Sequence, residues 1–140
     1  MRNVLLILSL FLSFGIYAQE RLSWNTFERL QFEEVFDEPS ATWLQQPKWT
    51  EDLLRWDGKT VKVTGYVISL DTESQEYALS AFPFASCFFC GAAGPETVLE
   101  LVLNEPEIFT TDDIVTFIGV IRLNSDPLKF PLTLERAVQQ

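Results

Sequence analysis

The chain of 140 residues contains no histidine, two cysteines and one methionine. Without histidine there is no Ser-His-Asp or Cys-His catalysis within one chain, no His-ligated metal and no imidazole pH switch. Positive charge is also scarce. Ten Lys and Arg stand against twenty Asp and Glu, for a net charge of −10. Nucleic-acid affinity comes largely from neutralising phosphates, and anionic bilayers attract cationic segments. Nucleic acid and anionic membranes are therefore not expected partners. An unknown protein or a small ligand, cationic or neutral, remains. One domain is expected at this length.

Long apolar runs are confined to the N-terminus. Arg2 is followed by an almost unbroken apolar stretch, Val4 to Phe14, and then by Ile16-Tyr17-Ala18 before Gln19. Residues 1–18 read as a secretory signal peptide with small Ala18 at the cleavage site. The apolar run is about 15 residues, short of the roughly 20 that span a bilayer. No cysteine adjoins the cleavage site to carry a lipid, so no stable membrane anchor is expected after cleavage. The expected location is periplasmic or secreted. Cleavage after Ala18 leaves 122 residues and, with Arg2 removed, a net charge of −11. That is enough chain to bury one core without a disulfide.

The remainder divides in two. Residues 19–58 form a cover segment that holds all four tryptophans, Trp24, Trp43, Trp49 and Trp56. Trp24, Phe27 and Leu30 recur every third residue, as in one or two helical turns. Gln31 to Phe36 can form a short strand, broken by Asp37-Glu38-Pro39-Ser40. Thr50 can cap a helix whose first turn carries Glu51 and Asp52, and Asp57-Gly58 ends it. The tryptophans are expected to pack as an aromatic cover over one end of the following domain.

Residues 59–138 read as five strands: Lys59–Leu70, Tyr77–Phe84, Thr97–Asn104, Ile114–Asn124 and Phe130–Val138. The third places Thr97, Leu99, Leu101 and Leu103 on one face. Five strands with a longer connection after the third predict a mainly all-β domain, a five-stranded OB-like barrel. Gly65 and Gly119 sit mid-strand, where glycine is costly unless the strand bends or bulges. They mark the first and fourth strands as the pair that closes the barrel. A β-sandwich or open antiparallel sheet is the alternative.

One segment carries candidate chemistry: Cys87-Phe88-Phe89-Cys90-Gly91-Ala92-Ala93-Gly94-Pro95-Glu96. A C-x-x-C pair in an exported protein has three readings. Cys87 and Cys90 can form a local disulfide, worth only about 2 kcal/mol because the loop is tiny. They can supply two thiolates to zinc, which needs further ligands such as Glu96 or cysteines from another subunit, or to two-coordinate copper(I). They can act as a thiol–disulfide oxidoreductase. That third reading finds strands on both sides instead of a thioredoxin-like unit, and the nearest basic residues, Lys62 and Arg122, are distant in sequence. Gly91, Gly94 and Pro95 imply a tight loop of set shape. Asp71, Glu73 and Glu76 form an acidic turn without EF-hand ligand order. Asp112, Asp113, Glu105 and Glu107 read as solvated surface.

The run CFFCGAAGPE, with LSAFPFASC before it and TVLELVL after it, resembles a group of small exported bacterial proteins of unknown function that share a CFFCG-x-AGPE-type signature. GKTVKVTGYVISLD resembles their GK-x-V-x-x-x-GYV-x-x-L segment, and IGVIRLNSDP resembles their G-x-x-x-LN-x-D turn. Ala92-Ala93 stands where that pattern leads one to expect Gly-Ala. The resemblance covers about residues 24–138. It implies an exported OB-like domain and carries no activity, so no catalytic residue follows from it. The expected function is a non-catalytic binding or accessory module with a local Cys87–Cys90 disulfide; a metal-binding protein and an oxidoreductase of non-thioredoxin fold are the alternatives.

Overall fold

β-Branched and apolar residues alternating with period two favour half-buried strands, and the second half of the chain is built from them. The computed structural model describes residues 19–71 and 73–140. The expected signal segment, residues 1–18, lies outside the described residues.

A barrel is formed by β4 (Thr60–Asp71), β5 (Glu76–Ser80), β6 (Val98–Leu103), β7 (Ile114–Leu123) and β8 (Leu132–Gln139). The strand order β4-β5-β6-β8-β7 closes on itself through β4 and β7, with β6 and β8 parallel and the other pairs antiparallel. This is the five-stranded Greek-key order of an OB-like barrel. The expected closing pair is thus the observed one. The second strand ends at Ser80 instead of continuing to Phe84.

Alternate residues point inward. Val61, Val63 and Val67 of β4 meet Leu79, Leu99, Phe117 and Leu134 in one buried cluster. Gly65 and Gly119 fall in the same inward rows. A Cβ at Gly65 would stand 2.6 Å from the Ser80 carbonyl oxygen of β5. One at Gly119 would stand 2.7 Å from the Glu135 carbonyl oxygen of β8. Both strands bend here so that a neighbouring backbone can cross closely. Opposite Gly119, β8 carries one extra residue against both neighbours, and Arg136 takes the left-handed conformation (φ 51°). This bulge turns β8 around the barrel.

The cover segment contains more strand than expected. After β1 (Glu20–Arg21), which pairs with β4 in parallel, come a short 3-10 turn (Trp24–Phe27) and an antiparallel hairpin of β2 (Gln31–Asp37) and β3 (Thr42–Lys48). β3 carries Pro47 and two glutamines, so its own pattern is weak. It is a strand because β2 pairs with it along all seven residues, in a two-stranded ribbon where proline is tolerated. The helix is short, α1 (Glu51–Leu54), and Thr50 Oγ1 accepts from Leu53 N–H at its start.

Leu22, Phe27, Leu30 and Leu53 join the barrel core, with Trp24, Trp49 and Trp56 packed against it. The indole N–H groups of Trp24 and Trp49 donate to the carbonyls of Thr64 (2.8 Å) and Asn124 (3.1 Å). Trp43 is the exception to the expected aromatic cover: it lies on the hairpin, 64% exposed. Among the described residues no helix is long and apolar enough to cross a membrane.

A methyl group at either bending glycine must push backbone aside. Gly65→Ala and Gly119→Ala are each expected to lower stability by about 2 kcal/mol. In urea unfolding the midpoint should fall at unchanged slope; an unmoved midpoint would show that closure does not require the hydrogen.

Candidate functional site

β5 and β6 are joined by residues 81–97, which hold both cysteines. The loop is tied at its ends: Ala81 N–H donates to the Thr97 carbonyl (2.9 Å), and Phe84 N–H donates to Asp112 Oδ1 (2.7 Å). Between these ties it makes three 3-10 turns, Phe84–Ser86, Phe88–Cys90 and Pro95–Thr97. The loop lies over the outer face of the barrel. Ile68, Ala78 and Val98, which point outward from β4, β5 and β6, are buried beneath it in a second cluster with Cys87. Cys87 here is a small core residue, fully buried, while Cys90 is exposed.

Both cysteines are free thiols in this structure. Their Sγ atoms converge on one acceptor, the Phe84 carbonyl oxygen, at 3.1 Å from Cys87 and 2.8 Å from Cys90. Cys90 N–H donates back to the Cys87 carbonyl at 3.2 Å, so the pair spans a single closed turn. Partial desolvation pushes the Cys90 thiol up from its ordinary range, and the adjacent Cys87 sulfur raises it further. Among the described residues no cation lowers it. Arg122 is engaged by Glu135 at 3.0 Å, and Lys62 lies on β4 between β1 and β7.

The shaping residues divide by role. Gly91 ends the Phe88–Cys90 turn in the left-handed conformation (φ 73°), with open space where a Cβ would stand. Its glycine serves conformation alone. Gly94 has an ordinary φ of −80°; the Glu96 carboxylate folds over it, where a side chain would collide. Pro95 opens the last turn. Among the described residues no group of three or more His, Cys, Asp or Glu comes together to hold a metal. Only the two sulfurs converge.

Two of the other acids singled out by the sequence, Asp71 and Asp112, are committed to backbone. Asp71 Oδ1 accepts from Glu73 N–H at 2.8 Å, which holds its carboxyl below the usual range. Asp112 lies on the exposed surface as expected, and there it also braces the entry to the cysteine loop. Its positive φ of 73° marks the turn that aims it.

Aromatic side chains carry the loop toward a neighbour. Phe88 and Phe89 meet edge-on at 5.6 Å, and Phe89 meets Phe130, in the β7–β8 loop, at 6.1 Å. Phe88, Pro95, Leu128 and Phe130 line a cleft of about 320 Å³ whose far wall is Phe32 and Pro47 of the hairpin. Phe130 also borders two more polar clefts, of about 530 and 490 Å³, over the outer faces of β5–β6 and of β6–β8–β7. The cysteine turn, the β7–β8 loop and the hairpin therefore share one surface. The sequence pattern marked the cysteines but not Phe130, which sits between two prolines' worth of turn and strand (Pro127 and Pro131) with no periodicity to reveal it.

No protein-family model matches the chain, and neither a curated protein nor a solved structure matches it.

A raised thiol is mostly protonated at neutral pH. In the reduced protein, alkylation of Cys90 by iodoacetamide is expected to keep accelerating past pH 9. Cys87 should be modified only on unfolding. A plateau in the Cys90 rate below pH 8 would contradict this environment.

Proposed function

We propose that the protein is an exported, non-catalytic binding or accessory module in which Cys87 and Cys90 are joined as a local disulfide. The observation that carries this is the convergence of both sulfurs on the Phe84 carbonyl within one closed turn, whose aromatic residues wall the 320 Å³ cleft. A turn closed from residue i to i+3 keeps its ends within about 7 Å, which is in the range a disulfide spans. The expected signal peptide and the resemblance to exported proteins point to an oxidising compartment, where such pairs persist. Oxidation releases two protons and passes two electrons to the disulfide of an exchange partner, which leaves as a dithiol.

Three features favour binding over catalysis. Cys87 is buried, the Cys90 thiol is pushed up, and no cation among the described residues lowers it. The acidic surface favours a neutral or cationic partner over nucleic acid. A second use of the same geometry is a soft, two-coordinate copper(I) ion held by the two sulfurs; zinc would require further ligands, since among the described residues no third His, Cys, Asp or Glu joins the pair.

Protein purified from the periplasm without reductant should begin at Gln19, titrate with no free thiol and weigh two hydrogens less than the dithiol form. Two free thiols, or stoichiometric copper, would overturn the disulfide.

Replacing both cysteines, Cys87→Ala with Cys90→Ala, is expected to leave a folded protein with one cooperative transition. The loss should be about 2 kcal/mol for the crosslink and about 1 kcal/mol for the buried sulfur. A non-cooperative melt would show that the fold itself depends on the pair.

A further inference from the structure

The hairpin of β2 and β3 presents a strip whose base, Phe32 and Pro47, packs toward the barrel and whose outer part the barrel leaves uncovered. The register sets Phe32 opposite Pro47, Glu34 opposite Gln45, and Phe36 opposite Trp43, all on one face. The base of this face lines the cleft through Phe32, Gln45 and Pro47. Its tip is an exposed aromatic pair: Phe36 is 51% and Trp43 64% exposed, with ring centroids 5.3 Å apart. Exposed, preformed aromatic pairs of this kind are what interfaces bury at their centres. Between the apolar base and tip lies one carboxylate, Glu34, which is exposed and forms no salt bridge among the described residues. The nearby Lys48 is taken by Glu33 on the opposite face, at 3.1 Å.

Same-face positions along a strand recur every ~6.8 Å, so the strip runs about 14 Å through three positions: apolar, anionic, aromatic. An extended chain has the same period. Covering Glu34 with a neutral segment would strip water from an unpaired carboxylate, and an anionic one would add repulsion.

We propose that this strip, as the recognition surface of the binding module inferred above, docks an extended peptide segment of a partner protein. The segment carries Lys or Arg at its centre and an apolar side chain two residues to either side. The central cation meets Glu34; one apolar residue enters the cleft beside Phe32 and Pro47; the other packs on Phe36 and Trp43. Charge complementarity sets which segment binds, and the aromatic pair supplies contact area.

The test uses the exported protein and two acetylated, amidated peptides, GLSRSLG and GLSESLG, titrated while hairpin amide resonances are followed. The arginine peptide should bind saturably, one per chain, at least tenfold tighter than the glutamate peptide. Glu34→Lys should invert that preference, and Trp43→Ser should weaken the arginine peptide at least tenfold. Both positions are exposed, so circular dichroism should be unchanged. Glu34→Lys leaving the ranking intact, or no hairpin shift with either peptide at millimolar concentration, overturns the proposal. So does a dimer, seen in sedimentation without peptide, that buries Trp43. These outcomes are separate from the thiol count: oxidised cysteines with no peptide binding defeat only the docking proposal, and free thiols with peptide binding defeat only the disulfide.

Discussion

Closure of the barrel rests on two places where one backbone crosses another too closely for any side chain. At Gly65, β4 changes partners. Residues 60–66 pair with β7, and from Tyr66 onward the strand pairs with β5. At Gly119, β7 lies against β4 on one side and the bulged β8 on the other. A strand that serves two neighbours must coil, and the inner side of the coil has no room for a Cβ. Once closed, the five strands have no free edge along most of their length. β1 takes the remaining side of β4 at Val61 and Lys62, which removes one more place where a foreign strand could pair.

Closure also creates the need that the cysteine loop meets. Coiling turns Ile68, Ala78 and Val98 outward, where apolar side chains would face water. The loop buries them, and Cys87 with them. Burial of a Val or Ile side chain contributes about 1.5–3 kcal/mol each, whereas a disulfide across so short a loop contributes about 2 kcal/mol. The apolar contacts therefore hold the loop in place. The cysteine turn has a narrower place: it carries Phe88 and Phe89 to Phe130 and the cleft. This separates the stability of the domain, which lies inside the barrel, from the shape of its outer surface.

The barrel was legible because its strands are long and their alternation serves one dominant core. Val61, Val63 and Val67, or Leu99 and Leu101, announce an inward face without reference to partners. The two mid-strand glycines announced where the strands bend. β3 was not legible, since Pro47 and its glutamines carry no pattern and pairing with β2 makes it a strand. Ala81, Phe82 and Phe84 continue the apolar run of the second strand past Ser80; the bend that ends it follows from the tie between Ala81 and Thr97, a contact made across sequence. The cysteines were visible as the candidate site. Their shared acceptor, a backbone carbonyl, and their brace, Asp112, were not, because neither a carbonyl nor a loop aspartate has a composition signature.

The acidic balance takes on a different meaning once each carboxylate is placed. Asp37, Asp57, Asp71, Asp112, Asp113 and Asp126 each accept a backbone N–H, mostly within their own turn. The short aspartate side chain reaches the backbone a few residues on and substitutes for a missing turn partner. No glutamate does so among the described residues. Glu20, Glu33 and Glu135 instead meet Lys59, Lys48 and Arg122 in partly exposed pairs, each worth at most about 1 kcal/mol. The negative charge thus consists of two populations. All the aspartates but Asp52, which pairs with Arg55 on the helix, are structural and fix the loops that carry the surface. The glutamates are largely free of structural duty, so the charge available to a partner is theirs, and its position matters more than its total. Between the aromatic tip of the hairpin and the cleft, that position is held by Glu34.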